Sequence, residues 1–529
     1  MHTIVVVILL LLSTMIVVVT SAGSGAGALE VPVKLVVVSR QDDLRLRVQI
    51  QYAKIETPHA PTGTDLAFVV VAFTQVLSRN RLAFSTITDV VFQSASFDLA
   101  AMLLFNLREI VQVVSDDKIS FLAGRDMAEI KILHDDNCGL AVLVENGKFT
   151  AIGTLQELEK SANSHERVDC NGGCLLPGLV DAHSHPVFAG DRVHEFALKL
   201  AGATYAEVQE KGGGIHFTTE ATRAASEDKL FDDFARVATE MLRNGTTCLE
   251  AKSGYGLNEE TELKMLRVLD RAAQSDQVPL EISTTFCGAH AVPKGSTEAE
   301  QTTLIIDRLL PAIAKNKQEG RLKSVENVDI FCEKGNFGVD STRRILKAAA
   351  QIGLRGNFHA DELNPLGGAE LAAELKCAAA AHLEEISSEG IRQLAAAGTV
   401  AVLLPTTAYI LRLKPPPARS IIEAGGMVAL GSDFNPNAPC LSMPIVMHLA
   451  CVNMKLSMNE ALAASTINSA HSIGRGQTHG AITVGRVADA VLIDAPSWEH
   501  LIYRLGSQHE LIRFVMKSGK VAYRKQANS

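Results

Sequence analysis

At 529 residues, with 47% hydrophobic and 21% charged side chains, the chain has material for a large core and more than one domain, and it is not a disordered one. A formal charge of -9 excludes nucleic acid as the main partner, because phosphate binding needs a basic face. The 9 cysteines are scattered and odd in number, which is no disulfide framework and fits a reducing compartment.

Residues 1–22 carry an almost unbroken apolar run, followed by small residues from Thr20 to Gly23. The run resembles the core of a secretory signal without its basic leader, and it is short of the roughly 20 apolar residues that a spanning helix needs. Signal peptide, anchor and misassigned gene start stay open. The first two stand against the cytoplasmic location that the cysteines favour. Residues 23–118 form an extension without a motif, in which 66–76 and 97–107 are apolar enough for burial.

Short strands are expected at 127–133, 140–145 and 148–152, with Asn146-Gly147 as a hairpin signal between the last two. Cys170 and Cys174 stand close together, but no second pair completes a zinc site. A matching strand pattern at 488–494, 512–517 and 520–524 ends the chain. Residues 119–173 and 481–529 are therefore expected to build one small β-sandwich domain from both flanks.

Between these flanks, over 174–480, strand-like and helix-like segments alternate. Apolar runs end near His185, Lys252, His290, Glu333, His359, His382, Leu404 and Asp433. Helices are expected at 226–243, 258–274, 298–317, 341–351, 368–375, 388–396, 418–424 and 459–473, with Ser226 and Asn258 as N-caps. This count predicts the α/β class and a closed (β/α)8 TIM-like barrel, whose chemistry sits at the C-terminal ends of its strands. The histidines stand at those ends.

On the first strand, alternation of side chains points His183 and His185 the same way, and Pro186 ends the run. Paired imidazoles at the end of a buried strand suit a metal ion. His183, His185, His359 and Asp433 offer three imidazoles and a carboxylate, leaving a position for water. A divalent ion lowers the pKa of such a water from about 16 to about 7. Glu362, just beyond His359, can hydrogen-bond that water or a substrate nitrogen.

These residues lie in motifs that resemble the amidohydrolase superfamily and, within it, the imidazolonepropionase family. The motifs are Leu176-Pro-Gly-Leu-Val-Asp-Ala-His-Ser-His-Pro186, Gly212-Gly-Gly-Ile-His-Phe217, Lys252-Ser-Gly-Tyr-Gly256, Gly288-Ala-His-Ala-Val-Pro293, Phe358-His-Ala-Asp-Glu362, Leu404-Pro-Thr-Thr-Ala-Tyr409 and Gly431-Ser-Asp-Phe-Asn-Pro436. The resemblance spans roughly residues 119–525. It implies one metal ion, zinc or iron, on His183, His185, His359 and Asp433. It implies substrate contacts from Arg192, Tyr255, His290, Glu362, Asn435 and Asn437, although Asn437-Ala438 stands where many relatives have Gly-Thr. The implied reaction hydrolyses the cyclic amide of 4-imidazolone-5-propanoate to N-formimino-L-glutamate, in histidine degradation. Asp433 and Glu362 would move the proton, and His382 would stabilise the oxyanion.

Three rivals stay open. A binuclear, hydantoinase-like centre would use a carboxylated lysine, for which Lys334 is the candidate. A mononuclear deaminase would use His359-x-x-Glu362. A scaffold relative would have kept the barrel and lost catalysis. The expected partner is a small molecule, with no nucleic acid and no stable membrane partner for the barrel. A homodimer is the default oligomer.

Overall fold

The computed structural model describes residues 101–162, 166–202 and 213–526, together with the backbone of short strands between Ile4 and Gln93. The signal-like segment 1–22 and the apolar stretch 66–76 lie outside the fully described residues. Residues 1–98 and 99–529 are separate compact units, and all the motifs fall in the second. Among the described residues no helix is long and apolar enough to cross a membrane.

Eight parallel strands of this second unit form one sheet in sequential order. They are β1 (Leu179–Asp181), β2 (Thr246–Lys252), β3 (Glu281–Ala289), β4 (Val325–Cys332), β5 (Arg355–Ala360), β6 (Ala379–His382), β7 (Val400–Leu403) and β8 (Val428–Leu430). The ends of β8 and β1 meet just past both strands. There Asp433 N–H donates to the His183 carbonyl at 2.9 Å, and His185 N–H to the Phe434 carbonyl at 2.8 Å. The expected (β/α)8 barrel is present, and its closure runs through the backbone of His183, His185 and Asp433.

The helices outside it follow from their sequence. The helix α1 (Glu227–Arg243) is capped by the Ser226 side chain, opens on Glu227 and Asp228, and buries Leu230, Phe231, Phe234, Ala238, Met241 and Leu242. That spacing is one face of a 3.6-residue period. The helix α2 (Glu259–Ala272) repeats the plan behind an Asn258 cap. Both cap residues and both acidic first turns favour the helix dipole.

The small domain differs from expectation at its borders. A four-stranded sheet runs in the order 148–154, 140–145, 102–107, 166–169, and a six-stranded one in the order 131–134, 109–113, 174–177, 490–493, 512–517, 520–524. Their facing side chains share one core, including Leu104, Val142, Phe149, Leu492 and Phe514. So a sandwich is built from both flanks, but two of its strands, Met102–Leu107 and Glu109–Val113, lie in the stretch read as an extension without a motif. Met102–Leu107 is central, bonded to a strand on either side, and its two faces enter two apolar clusters, Met102 and Leu104 one and Leu103 and Phe105 the other, so no alternation marks it. The strand expected over 127–133 starts only at Lys131, behind a 3-10 turn.

The run through residue 185 is also two elements rather than one strand. Cys174–Pro177 pairs antiparallel with Ala490–Ile493 in the small domain, and only from Leu179 does the chain enter the barrel. Gly178 is the joint. A Cβ there would lie 2.1 Å from the Thr247 hydroxyl oxygen and 2.6 Å from its methyl carbon. Thr247 is buried and β-branched, with little room to turn away. Gly178→Ala is expected to cost about 1–3 kcal/mol or more of unfolding free energy, read as a lower midpoint in denaturant with an unchanged slope.

Candidate active site

His183 and His185 follow β1 directly, His359 lies on β5, His382 ends β6, and Asp433 lies just past β8. All are buried. One potential ligand atom from each of His183, His185 and His359 falls within 4.8 Å of the others, and the same holds for His183, His382 and Asp433. Asp433 Oδ1 stands 3.5 Å from His183 Nε2 and 3.7 Å from His185 Nε2. The His183 and His359 ring centres are 4.6 Å apart. Both ring nitrogens of His183 and Nδ1 of His185 are buried without a hydrogen-bond partner. Unsatisfied nitrogens of this kind cost free energy, and a cation removes that cost for the one nitrogen that each imidazole turns to it. The donor set of neutral imidazoles and one carboxylate fits a metal ion.

Electrostatics keep the imidazoles of His183, His185 and His382 neutral, the form that binds a cation. Burial holds the His183 imidazole well below its ordinary range, helped by the Lys252 cation. Burial does the same for His185, with His290 next, and for His382, with His359 next. Asp433 is pushed up to about 6 by burial, against the His359 imidazole and a hydrogen bond from the Thr407 hydroxyl.

The expected substrate residues surround this cluster. His290 stacks on His185 with ring centres 4.6 Å apart, its Nδ1 is 3.1 Å from the Gly254 carbonyl, and burial brings it down to about 3. Tyr255 is buried 5.2 Å, centre to centre, from His290. The charge of Arg192 acts on both Tyr255 and His290, and its Nε donates to the Thr218 hydroxyl at 3.0 Å. Asn435 shapes the loop after Asp433, since its Oδ1 accepts the N–H groups of Asn437 at 2.7 Å and Ala438 at 3.2 Å. Asn437 is half-buried there.

Glu362 lies 3.7 Å from His382 Nε2, and burial together with the Glu384, Asp433 and Glu333 charges pushes its carboxyl well up. The turn that presents it is fixed by Asp361. The Asp361 carboxylate accepts the N–H groups of Leu366, Gly367, Gly368 and Ala369 at 2.8–3.1 Å. His382, Leu383 and Asp433 have φ of 76°, 69° and 47°, a region that side-chain-bearing residues rarely occupy and that costs about 1–3 kcal/mol each. Such backbone gathers at working sites.

Two strand-end residues take other parts. Glu333 clamps the loop after β5 by accepting from Leu363 N–H and Asn364 Nδ2, and Lys334 is exposed. Lys252 faces the barrel axis, fully buried. Sequence reasoning missed Asp181, whose carboxylate ties the His183 and Ser432 N–H groups together at 3.3 and 2.9 Å. It also missed Thr407, Asp329 and Glu384. Glu384 lies with Oε2 3.8 Å from His382 Nδ1, neither of its buried carboxylate oxygens has a hydrogen-bond partner among the described residues, and burial raises it to about 8.

Gly431 lies against His183, where an added Cβ would sit 2.8 Å from the His183 Cβ and 2.9 Å from its backbone nitrogen. Gly431→Ala must displace that histidine. A misplacement of about 1 Å costs on the order of 10²-fold in rate, and that drop in kcat is the expected result for the variant.

The family model of the amidohydrolase family matches residues 174–523. A probable imidazolonepropionase of Mus musculus is 53% identical over 428 residues, 80% of this chain and 99% of its own length. A protein of the same name from Homo sapiens is 51% identical with the same coverage. Among solved structures, the E. coli guanine deaminase has a TM-score of 0.61 at 13% identity, covering 80% of this chain and 99% of its own. An adenosine deaminase from Xanthomonas campestris with bound zinc has a TM-score of 0.59 at 18% identity, covering 79% of this chain and 92% of its own. At such identity the structural likeness speaks for the fold, while the matched model and the half-identical relatives speak for descent: the chain belongs to the amidohydrolase family, beside its imidazolonepropionase members.

Proposed function

We propose that the chain hydrolyses the ring amide of 4-imidazolone-5-propanoate, giving N-formimino-L-glutamate, in histidine degradation. The observation that carries this reading is the convergence of His183, His185, His359 and Asp433, with unsatisfied buried nitrogens, at one end of the barrel. The half-identical relatives supply the substrate class.

The four residues would hold one ion, zinc or iron, which would supply the Lewis acidity that makes water a nucleophile near neutral pH. Arg192 pairs with the propanoate carboxylate through its guanidinium fork, and Tyr255 and His290 line the ring. Asn435 and Asn437 hold the loop that covers it. Asp433 accepts the proton of the attacking water and returns it to the ring nitrogen as the C–N bond breaks. His382, kept neutral by burial, donates a hydrogen bond to the developing oxyanion. Glu362 hydrogen-bonds a ring nitrogen. We place the enzyme in the cytoplasm as a homodimer. Its 9 cysteines are all free, as a reducing compartment requires, and two-fold pairing is the commonest assembly.

Ultraviolet loss of imidazolone-propanoate, with formiminoglutamate as product and no ammonia released, is the expected result. Ammonia release from an aminated heterocycle without turnover of the imidazolone would replace this reading with a deaminase.

A further inference from the structure

The axis of a (β/α)8 barrel is ordinarily packed with branched apolar side chains. Beneath the histidines of this barrel it holds a charged column instead. Asp329 on β4 is 1% exposed, and Glu250 and Lys252 on β2 have no exposure. The Asp329 Oδ1 accepts the backbone N–H of His359 at 3.0 Å and lies 2.9 Å from His359 Nδ1. Its Oδ2 forms an ion pair with Lys252 Nζ at 2.7 Å. Lys252 also donates to Glu250 Oε1 at 2.8 Å, and Asn357 Nδ2 donates to the same oxygen at 3.0 Å.

A carboxylate only accepts, so the imidazole nitrogen facing it carries the proton. Contact with Asp329 therefore fixes His359 as the Nδ1–H tautomer and leaves the lone pair on Nε2, the nitrogen free to bind a cation. The second bond, from the His359 backbone, locks the carboxylate to the strand as well as to the ring. The Lys252 ion pair stops Asp329 from turning away. Stability does not require this arrangement, because well-packed apolar residues of the same volume replace buried ion pairs at little or no cost.

We propose that Asp329, clamped by Lys252, is the positioning residue of the metal centre: it sets the tautomer and ring orientation of His359, and through them the affinity of the site. This rests on the metal-site reading under Proposed function. The test loads metal-free protein with Co2+ alone and measures its dissociation constant by competition with a chelator. Wild type binds one equivalent. Asp329→Asn binds on the order of 10–100-fold more weakly, with an altered cobalt visible spectrum, and Asp329→Glu recovers part of the loss.

Equal affinity in wild type and Asp329→Asn overturns the proposal, because a merely structural role would lower the melting temperature and leave the affinity alone. Should the asparagine variant fail to fold, nitrogen NMR of the His359 ring in metal-free wild type decides. Protonation at Nδ1 supports the proposal, and protonation at Nε2 overturns it. Wild type that takes up no Co2+ overturns the metal-site reading itself, which separates the two failures.

Discussion

His359→Ala is expected to lose metal and turnover together. His359 is central to the cluster, with its ring 4.6 Å from His183, 5.3 Å from His185 and 4.9 Å from His382, centre to centre. Removing it leaves two imidazoles and a carboxylate, and the Asp329 oxygen that held its Nδ1 loses that partner. Without the ion, water is a poor nucleophile at neutral pH, and the loss in kcat should be on the order of 10⁴-fold or more. Metal analysis and the ultraviolet assay on one preparation check it. A variant that keeps a full equivalent of metal would remove His359 from the ligand set, and full turnover in a metal-free variant would refute the ion's part in the reaction.

The largest effect on stability is expected from Lys252→Met, which keeps most of the side-chain volume and removes the charge. Glu250 and Asp329 are then left buried without their shared cation. Breaking one side of a buried ion pair costs about 3–5 kcal/mol, measurable by urea unfolding of the metal-free form. The exposed Arg271–Asp228 pair is the contrast, and Asp228→Ala should cost no more than about 1 kcal/mol, the pair and the helix-dipole contribution together. The deficit of Lys252→Met should depend on pH. Burial already pushes Glu250 up to about 7, with Lys252 opposing, and loss of Lys252 raises it further. A carboxyl raised on folding contributes stability at low pH that is lost as pH rises through the folded value; in wild type that loss ends near pH 7 and in the variant it runs on, so the deficit is level below about pH 7 and grows above it.

The barrel was legible because its strands are buried, short and separated by helices with caps and amphipathic faces. Histidines stand where four of the eight apolar runs stop, which made the site visible before any geometry. What stayed hidden has physical causes. The helix Met443–Met454 is apolar nearly all round, so no periodic face marks it, and it packs by Met443, Val446, Met447 and Ala450. Met102–Leu107 is covered on both faces and looks like any apolar run. The charged column did leave a trace. Cys248, Glu250 and Lys252 on β2, Ser283, Thr285 and Cys287 on β3, and Asn327 and Asp329 on β4 recur every second residue. Period-two polarity inside an otherwise buried strand marks the side chains that face the barrel axis. Thr407 and Asp181 left no such mark, because their partners Asp433 and Ser432 are distant in sequence.

The central claim is that one ion is gripped by His183, His185, His359 and Asp433. The most direct test counts metal in the purified chain while following imidazolone-propanoate turnover through chelation and reloading. One equivalent of zinc or iron per chain, leaving and returning in step with activity, is the predicted result. Two equivalents per chain, or turnover that persists after the last metal is removed, would contradict it.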